Sequence, residues 1–417
     1  MLIKTLLNKC HPIKGFVYGA ARWETVAGAT ALSVPVAARR NSRPTCAGCG
    51  QRGATYDHLA VRRFEFVPLW GWAVFLEYRM RRVHCPRCGV KVERVPFGAA
   101  KHSQTPCYRG FLAAWAKRLS WQETADVFHT SWGQVYRAVA WVVAYGLEHR
   151  DLSGVTAIGV DEVAWQQGHH YLTVVYQLNA GCRRLLWVGQ ERTAATLESF
   201  FAFWGPARTA RLEYVCSDMW RPYLQVLAAQ ASHALHILDR FHIMANLNKA
   251  LDQVRADEMR GLRAQGQGAL LVRSRWCLLK RPENLRPGQA TRLRDLLRLN
   301  LRTVRAYLLK ESLNQFWDYT SPYWAGRFLE NWCNQAMRSK LEPMKQMART
   351  LRSHHPLLLN WFKAKKQFSS GIVEGFNGKL KLTFKKAFGF RTYDAAKIAL
   401  YHTLGDLPVP ESTHRFC

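Results

Sequence analysis

The run Val155-Thr-Ala-Ile-Gly-Val-Asp161, followed by Glu162, decides how the rest of the chain is read. It alternates, it is rich in β-branched residues, and it ends on a carboxylate, so it reads as a strand. In a basic protein, a strand that delivers Asp161 to a sheet edge points to an acid meant for a metal ion. Two partners stand out: Asp218, closing the strand-like run Arg211-Leu-Glu-Tyr-Val-Cys-Ser-Asp218, and Glu374, inside Gly371-Ile-Val-Glu-Gly-Phe-Asn377. Three acids from distant parts of a chain can converge on two divalent cations, which activate an attacking oxygen and stabilise the leaving one in phosphoryl transfer.

Outward from this strand, runs at 170–178 and 184–189 join through a turn around Asn179-Ala-Gly181 that suits a hairpin. A helix over 193–204 leads to the run ending on Asp218. A second helix over 222–230 and a last strand over 234–239 follow. Three antiparallel strands, then helix, strand, helix, strand, is the order of an RNase H-like mixed sheet, in which Asp161 and Asp218 are neighbours. Glu162 should face away from Asp161, because adjacent strand residues alternate; it is the poorer ligand. If 371–381 is helical, Glu374, Asn377 and Lys381 share one face, with Lys379, Lys381 and Lys385 extending a positive run.

Toward the N-terminus, Cys46-Ala-Gly-Cys49 and Cys85-Pro-Arg-Cys88 are two C-x-x-C knuckles, each closed by a glycine, Gly50 or Gly89. Four soft ligands at tetrahedral spacing select a structural zinc ion, with strands over 61–67 and 74–83 forming the ribbon between them. From Tyr108 the period turns helical, with Leu112, Trp115 and Leu119 on one face. Ser120 with Glu123 and Ser131 with Gln134 have capping-box form. Two capped helices around a short break outline a helix-turn-helix, or equally a plain helical hairpin. Trp132, Gln134 and Arg137 on the second helix are candidate DNA contacts.

The chain carries 60 Lys plus Arg against 29 Asp plus Glu, a formal charge of +31, which predicts a polyanionic partner, nucleic acid foremost. Its 16 Trp argue for elaborate folded cores rather than a small coat protein. The 11 Cys form no disulfide framework, consistent with a reducing cytoplasm. The apolar run 26–38 is short of the ~20 residues of a membrane span and contains Gly28 and Pro35, so it reads as part of a loose extension. The expected organisation is an α/β multidomain chain: extension 1–44, zinc ribbon 45–100, helix-turn-helix 101–150, sheet 151–241, Leu- and Arg-rich all-helical insertion 242–368, C-terminal part of the core 369–407, and tail 408–417.

In this order the chain resembles the DDE transposases of bacterial insertion sequences, specifically the ISL3 family. The matching residues are Cys46, Cys49, Cys85 and Cys88; Gly159-Val-Asp-Glu162 with Gly168-His-His-Tyr171; Cys216-Ser-Asp-Met219; Asp239-Arg-Phe-His242; and Gly371-Ile-Val-Glu-Gly-Phe-Asn377 with Gly389-Phe-Arg391. The resemblance implies an RNase H-like catalytic core whose acidic triad falls on Asp161, Asp218 and Glu374, holding two Mg²⁺ (or Mn²⁺) ions. Asp239 and His242 then support the site, bind phosphate, or form a satisfied structural pair. It also implies binding of double-stranded DNA at terminal inverted repeats, strand cleavage and transfer into target DNA, at least a homodimer when working, no membrane association, and a cytoplasmic, nucleoid-associated location. The competing readings are a transposase-derived DNA-binding regulator that no longer cleaves, and an RNase H-like structure-specific nuclease.

Overall fold

The structure is a computed structural model that describes residues 2–26, 28–98, 102–166, 168–366 and 371–411. The expected boundaries at 100/101 and 368/369 and the end of the tail beyond 411 lie outside the described residues. The chain divides into two compact units, Met1–Asp151 with Leu382–Cys417, and Leu152–Lys381.

The first unit opens with helix α1 (Ile3–Cys10) and strands β1 (Phe16–Tyr18), β2 (Arg22–Val26) and β3 (Ala29–Ala38), followed by the long hairpin β4 (Ala54–Leu69) and β5 (Trp72–Cys85) and by β6 (Gly89–Val92). They form one six-stranded sheet of order β1-β3-β5-β4, with β2 also on β3 and β6 also on β5. The expectation of a loose extension over 1–44 is therefore corrected. β3 runs parallel to β5, and its Leu32 and Val34 are buried in the core with Phe64, Leu76 and Tyr78. Pro35 misled because proline lacks a ladder donor. Here the antiparallel neighbour of β3 changes from β2, paired over 29–33, to β1, paired over 36–38, and Pro35 sits in the gap where its missing N–H is not required. The hairpin tip is Trp70-Gly71, both at positive φ (49° and 89°), as a two-residue turn matched to strand twist requires.

Glu93, just beyond β6, is buried and accepts from the Tyr78 hydroxyl (2.7 Å), the Arg81 backbone N–H (2.7 Å) and the Arg81 guanidinium (2.8 and 2.9 Å). Glu93→Ala leaves the Arg81 charge buried without its partner, a loss of about 3–5 kcal/mol; a chemical-denaturation midpoint unchanged by this variant would contradict that account.

Three helices follow, α2 (Pro106–Ala116), α3 (Trp121–Val127) and α4 (Trp132–His149). Ser120 forms the complete capping box: its Oγ accepts from Glu123 N–H (3.1 Å) and Glu123 accepts from Ser120 N–H (2.7 Å). Ser131 caps α4 through Gln134 N–H, but the reciprocal bond is missing, because the Gln134 side chain is engaged by Thr130 and by Gln104 (3.0 Å). The buried face of α2 carries Tyr108, Leu112 and Ala116, whereas Trp115, expected there, is exposed.

The second unit begins with β7 (Ala157–Gln166), β8 (His170–Gln177) and β9 (Arg184–Gln190), then α5 (Ala194–Trp204), the short α6 (Pro206–Thr209), β10 (Tyr214–Ser217), α7 (Arg221–Gln230) and β11 (Leu235–Leu238). The five-stranded sheet has order β11-β10-β7-β8-β9. β7, β8 and β9 are mutually antiparallel, and β10 and β11 run parallel to β7. α5 and α7 cover one face through Leu197, Phe200, Trp204, Tyr223 and Leu227. β7 is thus the central strand, not an edge, and it continues five residues past Asp161 because β8 pairs with it throughout.

Residues 240–363 fold as α8 (Arg240–Ala264), α9 (Arg275–Leu279), α10 (Pro287–Leu297), α11 (Arg302–Asn314), α12 (Pro322–Arg338), α13 (Glu342–Ser353) and α14 (His355–Lys363), with only 3₁₀ turns among them. Trp317, Trp332 and Trp361 are buried in this helical region; Trp276 and Trp324 are exposed. The unit boundary falls within α15 (Gly371–Lys386), and α16 (Tyr393–Leu404) joins the first unit, where it packs on α4. The C-terminal piece expected as one part of the core, 369–407, is therefore divided at Lys381.

Candidate active site

Register brings the acids together. β10 pairs with β7 so that Cys216 lies beside Gly159, and β11 pairs with β10 so that Leu238 lies beside Ser217. Carried to the strand ends, these registers set Asp161, Asp218 and Asp239 at one level on three adjacent strands.

Across from Asp161 stands α15. Its buried face carries Val373, Phe376 and Leu380. A Cβ on Gly159 would stand only 3.0 Å from Val373 Cγ2, so glycine there permits the close approach of helix to strand. Phe376 stacks on Tyr176 at 4.7 Å. Asn377 donates its amide to Asp161 Oδ2 and accepts from the Tyr176 hydroxyl at 3.1 Å. Asn377 thus holds the buried carboxylate of Asp161. The shared helix face is as expected: Glu374, Asn377, Gly378 and Lys381 line a cleft of about 330 Å³ together with Asp161, Glu162, Asp239, Phe241 and His242. Glu374 itself is exposed, in the first turn of α15.

Asp218 does not line this cleft. It accepts from Trp220 N–H (3.0 Å) and lies 3.4 Å from Arg192 Nη2. Arg192, which no local pattern in the sequence singles out, also pairs with Glu162 at 2.9 Å and stacks 4.4 Å over Trp220. Glu162 was expected to face away from Asp161; it does turn to the Arg192 side, yet near the cleft mouth it lines the same space. Burial, with Asp218 nearby, pushes the Glu162 carboxyl up to about 7. Burial also raises Asp218. Among the described residues, no three carboxylate or imidazole groups bring ligand atoms within 4.8 Å of one another. The acids are spread by the cations among them, Arg192 drawing Glu162 and Asp218 to one side, since like charges at short range are held apart unless a counter-charge joins them.

His242 Nε2 lies 3.6 Å from Asp161 and 3.9 Å from Asp239, whose carboxylate also caps α8 through Phe241 N–H. Asp161 raises the His242 pKa to about 9. The folded value exceeds the unfolded value of about 6.5. The contribution to stability is therefore complete below the lower value and lost as pH rises through the upper one. Without divalent metal, wild type should lose more melting temperature between about pH 7 and pH 10 than His242→Asn; equal losses would remove this role.

In the first unit, Cys46, Cys49, Cys85 and Cys88 bring four sulfurs within 4.8 Å of one another, with Cys49 and Cys85 at 3.4 Å. Backbone N–H groups of Cys49 and Gly48 lower the Cys46 thiol to about 7, while the neighbouring sulfurs raise Cys88 to about 12. Four sulfurs gathered this closely are a soft donor set of the kind that suits a dication. Of the expected DNA contacts, Trp132 is exposed and stacked parallel on Tyr136 at 5.4 Å, and Arg137 is exposed. Gln134 spends its side chain inward. Lys379, Lys381 and Lys385 are exposed, Lys379 with its Nζ 6.0 Å from the Phe376 ring centroid.

A family model described as "Transposase", of the DDE, ISL3 type, matches residues 158–400, more than half of the chain. The chain belongs to the ISL3 family of DDE transposases. It is 28% identical over 400 residues to the transposase for insertion sequence element IS1001 of Bordetella parapertussis, covering 94% of this chain and 96% of that protein. It is also 28% identical over 395 residues to the transposase for insertion sequence element IS1557 of Mycobacterium tuberculosis, with 88% of each chain covered. The match to this DDE family begins inside β7 and takes in Asp161, Asp218, Asp239, His242 and Glu374; the cysteine cluster lies before it. No helix among the described residues is long and apolar enough to cross a membrane.

Proposed function

We propose that this transposase cuts DNA at the terminal inverted repeats of its insertion sequence and joins the freed ends to target DNA, with Asp161, Asp218 and Glu374 as the acids that hold two Mg²⁺ or Mn²⁺ ions. The observation that carries this is the common level of Asp161 and Asp218 on adjacent strands of the five-stranded mixed sheet, with Glu374 of α15 lining the same cleft as Asp161. The donor set fits: hard carboxylate oxygens suit such cations, and Glu162 Oε2 is buried with no partner.

When bound, the two ions supply activation of the attacking oxygen and stabilisation of the leaving one. The chain's own residues do the rest. Asn377 and the Glu162 N–H fix the Asp161 carboxylate in one orientation. His242 and Lys381 line the same cleft and offer donors to a phosphate oxygen. Arg192 pairs with both Asp218 and Glu162, and cations held by these acids would take over the counter-charge it supplies.

The four sulfurs hold a structural zinc, since no position is left open for chemistry. With the capped pair α3 and α4 read as a helix-turn-helix, Trp132 and Arg137 meet the terminal repeats. The net charge of +31 fits double-stranded DNA as partner and a nucleoid-associated protein in the cytoplasm. Pairing two ends requires at least a dimer. The test is cleavage and joining of DNA carrying the element's ends in Mg²⁺, comparing wild type with Asp218→Asn and Glu374→Gln. Loss in both supports the assignment, and full activity in either removes that residue from it.

A further inference from the structure

Phe388 is 99% exposed, more than any other exposed large apolar side chain described. Its backbone is also left-handed, at φ 52°. It follows α15 in a Schellman ending, in which Phe388 N–H donates to the Lys385 carbonyl (3.1 Å) and Gly389 N–H to the Phe384 carbonyl (2.9 Å). That left-handed position ordinarily takes glycine, because a side chain strains it by roughly 1 kcal/mol. Here glycine comes one residue later, as Gly389 at φ 92°, and the strained position is given to an aromatic ring left in water.

The turn is nevertheless firmly seated. Phe390 packs edge-on to Trp121 at 5.7 Å and to Phe384 at 5.8 Å, and Trp121 in turn meets Trp132 and Tyr136. Two exposed cations, Lys385 and Arg391, lie three residues to either side of Phe388 along the chain, while Lys386 is turned back onto the Lys117 carbonyl at 3.0 Å. A solvated ring on a seated, left-handed turn, with an exposed cation three residues to either side, matches a ligand that carries both a flat apolar face and negative charge. A nucleotide has both, and stacking on an aromatic side chain is how unpaired bases are bound without regard to sequence.

We propose that Phe388 is a base-stacking residue, taking the face of a nucleobase unpaired at the processed DNA end, with Lys385 and Arg391 on the adjoining phosphates. This rests on the reading of the protein as a processor of DNA ends and adds that its substrate includes an unstacked base. Strain at an exposed site is the observation that motivates it, since such strain persists where it serves a purpose.

The test uses the full chain without divalent metal, so that nothing is cut. DNA ends carrying a short single-stranded overhang, with 2-aminopurine at successive positions, should change fluorescence at one or two positions with wild type. Phe388→Ala should lose that change and bind the overhang DNA roughly 5- to 100-fold more weakly, whereas Phe388→Trp should retain both. Phe388→Gly should melt higher than wild type, because it relieves the left-handed strain, yet bind the overhang as poorly as Phe388→Ala. Equal affinity of wild type and Phe388→Ala, or silence of every probe position with wild type, as expected if the ring meets another protein instead, overturns the proposal. A wild type that fails to cut in Mg²⁺ would instead count against the catalytic reading, which these metal-free measurements do not use.

Discussion

Asp161→Asn should lower cleavage and joining of element ends by at least ~10³-fold, about 4 kcal/mol of transition-state stabilisation, while DNA-end affinity stays close to wild type. The change removes a charge and keeps the shape. Asp161 is buried on the central strand, 4% exposed, with its two oxygens already oriented by Asn377 and by the Glu162 N–H. An amide in its place can still accept from Asn377, although its NH2 then faces the Glu162 N–H and His242 loses its counter-charge, so the fold is kept with a lower melting temperature at neutral pH. What it cannot do is attract a dication. Asp161 should be more sensitive than Asp218 or Glu374, because its position is fixed by the sheet and by α15, whereas Glu374 is exposed and Asp218 is turned toward Arg192. A second readout separates charge from shape. Asp161 is the largest cause of the raised His242 pKa, so the variant should titrate His242 lower, seen by NMR of its ring protons. Cleavage within tenfold of wild type would remove Asp161 from the metal site.

Loss of the zinc ligands should have the next largest effect. Cys85→Ser, or exhaustive chelation, should abolish stoichiometric zinc binding, lower the melting temperature by roughly 10 °C or more, and abolish specific binding to element ends. The reason is topological. Cys85 closes β5, and Cys46 and Cys49 precede β4, so an ion held by the four sulfurs would tie both ends of the long hairpin to the chain that enters it. β5 is also the strand on which β3, β4 and β6 all pair. Without an ion, the base of that strand loses the link between the two knuckles. The measurement is metal content by mass spectrometry beside a thermal melt. A metal-free chain that melts at the wild-type temperature would leave the cysteines without a structural role.

Much of this could be read directly from the chain. The strand run into Asp161, the hairpin around Asn179 and Gly181, the capping box at Ser120 and the paired cysteine knuckles are all written within a few neighbouring residues, as side-chain period, cap chemistry or ligand spacing. The shared face of Glu374, Asn377 and Lys381 was legible for the same reason, since helical period alone sets it. The strand β3 was hidden, because its proline is tolerated only through a change of partner that no local pattern records.

Four features were decided only by the tertiary structure. Asp161 lies on the middle strand because β8 and β10 both pair with β7; Asn377 serves Asp161 and Gln134 turns inward because of neighbours far away in the sequence; and Arg192 joins Glu162 to Asp218 across loops. The physical reason is common to all of them. Periodicity and caps are short-range and repeat along the chain, whereas the partner of a charge or an amide is whatever the fold brings within a few ångströms, and the sequence holds that only through the packing of the whole.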